Sequence, residues 1–122
     1  MSATKAIKEI TVTPELSAKA LGSGSLMVFG TPAMVALMEA TAQMAVDGLK
    51  EGETTVGTLV NVKHVKALPI GAKAICTATL LQQEGRRLLF QIEVKNEAGE
   101  LLGEAEHERF IVDANRFMSK LN

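Results

Sequence analysis

A single carboxylate stands near the middle of a largely apolar stretch, and its position raises the first chemical question. Glu39 lies within residues 31–48, where alanine, methionine, valine and leucine fill most positions. Thr31 suits the N-cap of a helix, Pro32 its first helical position, and Gly48 its end. A carboxylate inside such a helix must be paired, protonated or facing a cavity. Glu39 is therefore either a general base or a glutamate hydrogen-bonded to a neighbouring chain.

His64 is the second candidate for chemistry. It alternates with Val56, Val60 and Val62, which predicts that it lies on the apolar face of a strand. An isolated histidine in that position is either a core residue with satisfied hydrogen bonds or a base that works with Glu39. The residues alone leave both interpretations open.

The last predicted strand carries His107 and Arg109 on one face, opposite Glu104, Glu106 and Glu108. We expect a structural role for His107. Arg109 has two open interpretations, a substrate contact or an internal ion pair. Because glutamates favour water, the face with His107 and Arg109 is the one expected to pack inside the protein.

A metal site is not expected from this sequence. The chain has two histidines and one cysteine, without an H-E-x-x-H motif or paired-cysteine spacing. Cys76 alternates with Ala74 and Ala78 and is expected in the core. One cysteine also excludes an internal disulfide framework and fits a reducing cytosol.

Composition limits the possible partners. With 122 residues the chain is expected to form one domain, 1–122, and its net charge of −1 gives no reason to expect nucleic acid or an anionic membrane. The absence of Trp and Tyr removes most stacking platforms for bases. The first residues lack the apolar region of a signal peptide, and the helix of residues 31–48 is too short to span a bilayer. We therefore expect a cytoplasmic protein.

The elements that position these residues follow from hydrophobic alternation and turn chemistry. The predicted strands are 5–13, 25–29, 55–68, 73–83, 87–96 and 100–112, with short helical segments at 15–20 and 114–121. Turns of two to four residues join the last four strands, so those strands must be antiparallel. The expected architecture is α+β, with the first strand at an edge of the sheet.

The helix is apolar around most of its circumference, whereas one sheet covers only one of its sides. A second copy of the chain is the simplest cover for the other side, which predicts a homodimer. Gly103 and Ala105 are expected to let the helix approach the sheet closely.

An antiparallel sheet wrapped around one long helix resembles the hotdog fold. Four stretches make the resemblance specific to the thioesterase family that includes fluoroacetyl-CoA thioesterase, and together they extend over about residues 10–117. These stretches are FGTPAMVALME (29–39), VGTLVNVKH (56–64), EGRRL (84–88) and HER (107–109).

The resemblance implies a catalytic set of Thr31, Glu39 and His64. It also matches the family's strand glycine to Gly57 and its last-strand arginine to Arg109. The implied activity is hydrolysis of a short or medium acyl-CoA to the free acid and CoA. Water is activated by the glutamate and histidine, or the threonine is acylated first. CoA belongs to the substrate, and no other cofactor is implied.

Several residues are expected to bind the substrate. Because Pro32 has no N–H, an oxyanion donor at the helix start would be the N–H of Ala33, with the Gly57 N–H as a second donor. Phe29 is the one aromatic residue in the lid-like segment before the helix, so fluoroacetyl specificity is not implied. The phosphates of CoA would lie near Lys63 and Lys66.

Eight residues of helix separate Thr31 from Glu39 by about 12 Å, which is beyond hydrogen-bond reach. If both act on one thioester, either the chain bends sharply at Thr31 or the two residues come from different subunits. We expect the second arrangement, with Thr31 of one protomer facing Glu39 and His64 of the other, in a dimer or a dimer of dimers. The alternative function is a non-catalytic acyl-CoA binding or sensing module. A hydratase or dehydratase would need a His/Asp arrangement that this sequence lacks.

Overall fold

The computed structural model describes residues 4–121, so residues 1–3 and 122 of the expected domain lie outside the described part. A five-stranded antiparallel sheet carries one long helix. In chain order the elements are β1 (Lys5–Thr11), a 3₁₀ turn (Pro14–Leu16), α1 (Ala18–Leu21), α2 (Thr31–Met44), β2 (Glu53–His64), β3 (Lys73–Glu84), β4 (Arg87–Lys95), β5 (Leu101–Asp113) and α3 (Ala114–Ser119). Among residues 4–121, none of these helices has the length and apolar character needed to cross a membrane.

The strands are ordered β1-β3-β4-β5-β2, and every neighbouring pair is antiparallel. This order confirms the α+β class, the antiparallel strands and the edge position of β1. The clean alternation of β4 is also confirmed, because Leu88, Phe90, Ile92 and Val94 are all buried. These side chains form the centre of the core beneath α2.

The prediction of a strand over residues 25–29 is wrong. Only two isolated bridges form there, Val28 with Pro69 and Ser17 with Phe29. The glycine- and serine-rich residues before this segment favour a loop. Residues 25–29 are anchored by the buried Phe29 side chain rather than by a ladder of hydrogen bonds.

Helix α2 differs from the prediction at both ends. Gly30 is the N-cap, so Thr31 is the first helical residue and its hydroxyl is not used for capping. A Cβ on residue 30 would lie 3.1 Å from the backbone of Ala18, which explains the glycine. The helix ends at Met44 rather than Gly48, since Asp47 and Gly48 are weak helix formers.

One face of α2 packs on the sheet and the other is uncovered in the single chain. Met34 and Met38 are fully buried, whereas Met44 is 55% exposed. Thr31 and Gln43 are also exposed. The homodimer inferred from this helix stays a prediction, and the uncovered face is the surface that such a partner would cover.

Strand β5 lets the helix approach as expected. A Cβ on Gly103 would lie 2.6 Å from Met34 Cε, 2.7 Å from its Sδ and 2.9 Å from the carbonyl oxygen of Lys63. Gly103 and Ala105 are both buried. The absence of a side chain at position 103 therefore sets the distance between α2 and the sheet.

A β-bulge in β2 decides which of its side chains face the helix. The register against β5 shifts between Gly57 and Leu59, which makes Thr58 an extra residue. Such a residue reverses the alternation of side chains, so Gly57 before the bulge and His64 after it face the same side. Val56 is consequently not on the His64 face, contrary to the sequence prediction.

Replacing Gly103 with alanine tests the close approach of α2. We expect Gly103→Ala to lower the free energy of unfolding by about 1–3 kcal/mol, because Met34 and the Lys63 carbonyl leave no room for a methyl group. Urea unfolding measures the change. Glu106→Ala, on the exposed face of the same strand, is the control and should change stability by less than about 0.5 kcal/mol. Equal midpoints for the Gly103 variant and the wild type would contradict this packing.

Candidate active site

Thr31 and His64 form a hydrogen-bonded pair within one chain. Their Oγ1 and Nδ1 atoms are 2.8 Å apart, at the point where the start of α2 meets the end of β2. The Phe29 ring packs edge-on to the imidazole, with ring centroids 6.3 Å apart and planes at 74°. The expectation that Thr31 and His64 come from different protomers is therefore wrong, because Gly30 caps the helix and leaves the Thr31 hydroxyl free for His64.

The surroundings of His64 favour a neutral imidazole. Burial lowers its pKa from the ordinary value of 6.5, while the backbone of Lys66 acts in the opposite direction. Its Nε2 atom is buried and has no hydrogen-bond partner of good geometry in the described part of the chain. A proton on Nε2 leaves Nδ1 as the acceptor for the Thr31 hydroxyl, which is the arrangement of a base beside a nucleophile.

A cleft of about 280 Å³ opens beside this pair. Its lining includes Val28, Phe29, Thr31, His64, Val65 and Lys66. The Met34 N–H bonds the Gly30 carbonyl at 3.0 Å, but within residues 4–121 the N–H groups of Thr31 and Ala33 have no backbone acceptor. These free donors and the helix dipole make the start of α2 favourable for a developing negative charge.

Glu39 belongs to a second cluster, further along the same helix face. Its Oε2 lies 3.4 Å from Nη1 of Arg109, and the Glu39 side chain is 41% exposed. A Cβ on Gly57 would lie 2.5 Å from the same oxygen, so the strand must have a glycine opposite the carboxylate. The carboxylate is therefore half-exposed beside a glycine, rather than buried as its helix position indicated.

Arg109 is buried, and each of its five N–H groups has an acceptor. Nε donates to Thr55 Oγ1 at 2.8 Å, and Nη2 donates to the Thr55 carbonyl and to Gln43 Oε1, both at 3.0 Å. Nη1 lies 3.2 Å from His107 Nε2 and 3.4 Å from Glu39 Oε2. Burial lowers the pKa of Arg109, and Glu39 opposes that shift. These contacts favour the internal ion pair, and a substrate contact for Arg109 stays a prediction.

Sequence reasoning missed two members of this cluster, Thr55 and Gln43. Gln43 lies four residues after Glu39 on the helix, a spacing that places both on one face and could have indicated it. Thr55 had no comparable signal, since the bulge that turns it toward Arg109 is not evident from its neighbours in sequence.

Two further expectations meet different outcomes. Cys76 is a buried core residue as predicted, and burial raises the pKa of its thiol to about 11. Lys63 faces the opposite side of the sheet, in a cleft with Asn61 and Glu104, so it does not join the cleft beside Thr31. Lys66 does line that cleft, where its ammonium pairs with Glu100 at 2.7 Å.

The fold is that of the thioesterase superfamily. A thioesterase superfamily member from Thermus thermophilus matches with a TM-score of 0.90 and 27% identity, over 99% of this chain and 90% of that chain. A variant of the fluoroacetyl-CoA thioesterase, solved in complex with acetyl-CoA, matches with a TM-score of 0.89 and 29% identity, over 99% and 96% of the two chains.

The sequence gives the particular family. Residues 12–115 match the family model described as fluoroacetyl-CoA-specific thioesterase. The fluoroacetyl-CoA thioesterase of Streptantibioticus cattleyicolor is 36% identical over 95 residues, which cover 77% of this chain and 68% of that protein. The chain belongs to this family of thioester hydrolases, as its four sequence motifs indicated, and it is an enzyme of the acyl-CoA thioesterase class.

The two histidines predict how stability depends on pH. Burial holds the pKa of both His64 and His107 below 6.5, so the unfolded chain binds protons that the folded chain does not. Stability should be fully present above about pH 6.5 and should fall as the pH drops toward the lowered folded values. Urea unfolding at about pH 7.5, 6.5 and 5.5 measures this. His107→Gln should flatten the dependence, and a free energy of unfolding that rises on acidification would contradict it.

Proposed function

We propose that this chain hydrolyses short or medium acyl-CoA thioesters to the free acid and CoA, in a site completed by a second copy of the chain. The observation that carries this proposal is the 2.8 Å hydrogen bond between Thr31 and His64 at the start of α2. A hydroxyl paired with a neutral imidazole, in a cleft beside free N–H donors, has the parts that acyl transfer needs.

In the proposed first step, the Thr31 hydroxyl attacks the thioester carbonyl while Nδ1 of His64 takes its proton. The Ala33 N–H and the positive end of the α2 dipole stabilise the oxyanion. The imidazolium then returns the proton to the departing CoA thiolate as the carbon–sulfur bond breaks. The product of this step is an acyl ester on Thr31 and free CoA.

The second step requires a base for the attacking water, and we assign this role to Glu39. Thr31 and Glu39 lie on the uncovered face of α2, about 12 Å apart along the helix. In a two-fold dimer through this face, residue contacts are reciprocal, so Thr31 of each protomer meets the partner's Glu39. The half-exposed carboxylate, held by Arg109, takes a proton from the water that attacks the acyl ester and then gives it to the departing Thr31 oxygen. Gly57 would accompany it and offer a second N–H donor.

The size and apolar walls of the cleft suit a small acyl group. It has a volume of about 280 Å³, with apolar walls from Val28, Phe29 and Val65. The preceding segment, residues 21–29, contains a single aromatic residue. We therefore propose a broader acyl range than the fluoroacetyl group named for the relative, with Lys66 at the cleft near the phosphates of CoA.

Release of CoA from a panel of short and medium acyl-CoAs tests the function. We expect wild-type turnover, and a loss of about 100-fold or more in kcat for Thr31→Ala and Glu39→Gln, because each removes a group that handles the transferred proton or acyl group. Thr11→Ala and Glu93→Gln change the same residue types at exposed positions and should retain activity. Saturable acyl-CoA binding without CoA release would instead identify a binding module.

Mass spectrometry separates the two possible routes. Glu39→Gln enzyme quenched after one turnover should carry the acyl group on Thr31, since the ester forms but its hydrolysis is blocked. The same treatment of Thr31→Ala should give no acylated protein. Release of one equivalent of CoA from the Glu39 variant without any acyl ester would contradict the acyl-enzyme route and favour direct attack by water.

A further inference from the structure

His107 is a buried titratable residue that the proposed mechanism does not use. Its side chain is completely buried on β5, between Phe90 and the guanidinium of Arg109. Its ring centroid lies 6.0 Å from that of Phe90. An apolar side chain would be sufficient to fill this space, whereas this imidazole has polar partners at both nitrogens.

The two contacts fix the protonation state and tautomer of His107. Nδ1 lies 2.7 Å from the carbonyl oxygen of Leu59, which accepts only from an N–H. Nε2 lies 3.2 Å from Nη1 of Arg109, which has no acceptor capacity, so Nε2 must carry a lone pair. The imidazole is therefore neutral with its proton on Nδ1. Burial, the first of the causes that lower its pKa, favours the same state.

This tautomer links the bulge of β2 to the carboxylate of α2. Leu59 follows the extra residue Thr58, and its carbonyl orients the ring. The ring in turn presents a lone pair to the same Arg109 nitrogen that reaches Glu39. Thr55 and Gln43 hold Nε and Nη2 of the guanidinium, so the two remaining hydrogens on Nη1 go to His107 at 3.2 Å and to Glu39 at 3.4 Å.

We propose that His107 is a positioning residue, which holds the Nη1 group of Arg109 in the direction that fixes the Glu39 carboxylate for catalysis. This inference rests on the proposed role of Glu39. It predicts that loss of the Nε2 acceptor leaves one Nη1 hydrogen unsatisfied, so that the Nη1 end of the guanidinium shifts and Glu39 leaves its place beside Gly57. Binding of the acyl-CoA should be affected much less than turnover, because His107 itself touches no substrate.

Two substitutions separate positioning from packing. His107→Leu keeps an apolar side chain but offers Arg109 no acceptor, whereas His107→Gln retains an acceptor and a donor. We expect the leucine variant to lose about 10- to 100-fold in kcat with little change in kcat/KM, because Glu39 acts only after CoA has left. The glutamine variant should recover most of that loss.

Ile92→Val is the control for loss of packing, since Ile92 is a buried residue on β4 without a polar contact. It should lower the melting temperature and leave kcat near the wild-type value. Glutamine and leucine variants with equal kcat, or a leucine variant with wild-type kcat, would overturn the positioning role.

Crystal structures of the two variants give a readout that does not depend on turnover. In His107→Leu we expect the guanidinium of Arg109 and the carboxylate of Glu39 to be displaced or spread over several conformers, and in His107→Gln to superpose on the wild type. If the wild-type enzyme hydrolyses no acyl-CoA, the proposed function fails, but this comparison still tests the positioning. An unchanged Arg109–Glu39 geometry in the leucine variant would overturn the inference.

Discussion

The bulge at Thr58 is the constraint on which the arrangement of this site depends. In a regular strand Gly57 and His64 would face opposite sides of the sheet, since an odd number of positions separates them. The extra residue brings both to the side of α2, with Gly57 beside Glu39 and His64 beside Thr31. It also places the Leu59 carbonyl where His107 can bond it. One irregularity thus aligns two clusters along one helix face.

The two clusters differ in what they lack. The Thr31–His64 pair has a base beside a hydroxyl, but within residues 4–121 no carboxylate is hydrogen-bonded to it. Glu39 has a buried cation to hold it and an open side toward solvent, and no hydroxyl of residues 4–121 is hydrogen-bonded to it. In the proposed dimer, pairing two uncovered α2 faces about a two-fold axis would supply each cluster with what the other has. Family membership makes an acyl-CoA thioester the substrate class.

The sequence predicted the features that depend on local pattern. Alternation located β4 and β5, and the small Gly103 correctly indicated a close approach of α2. It did not predict the bulge, because the isolated glycine next to Thr58 marks either a bulge or a close backbone approach, and the alternation of valines favoured a regular strand. The sequence paired Thr31 with His64 between protomers rather than within one chain, for a related reason. Threonine before a proline is an ordinary N-cap, and only the crowding of Gly30 against Ala18 explains why the cap moved by one residue.

Complementation between inactive chains tests the split site most directly. A 1:1 mixture of Thr31→Ala and Glu39→Gln chains, unfolded together and refolded, should regain roughly a quarter of wild-type activity. Half of the dimers are then mixed, and each of these has one intact site. A mixture of His64→Ala and Glu39→Gln chains should recover equally. A mixture of Thr31→Ala and His64→Ala chains should stay inactive, because one chain supplies both residues to each site. Recovery in the last mixture, or none in the first two, would contradict a site that joins Thr31 and His64 of one chain to the partner's Glu39.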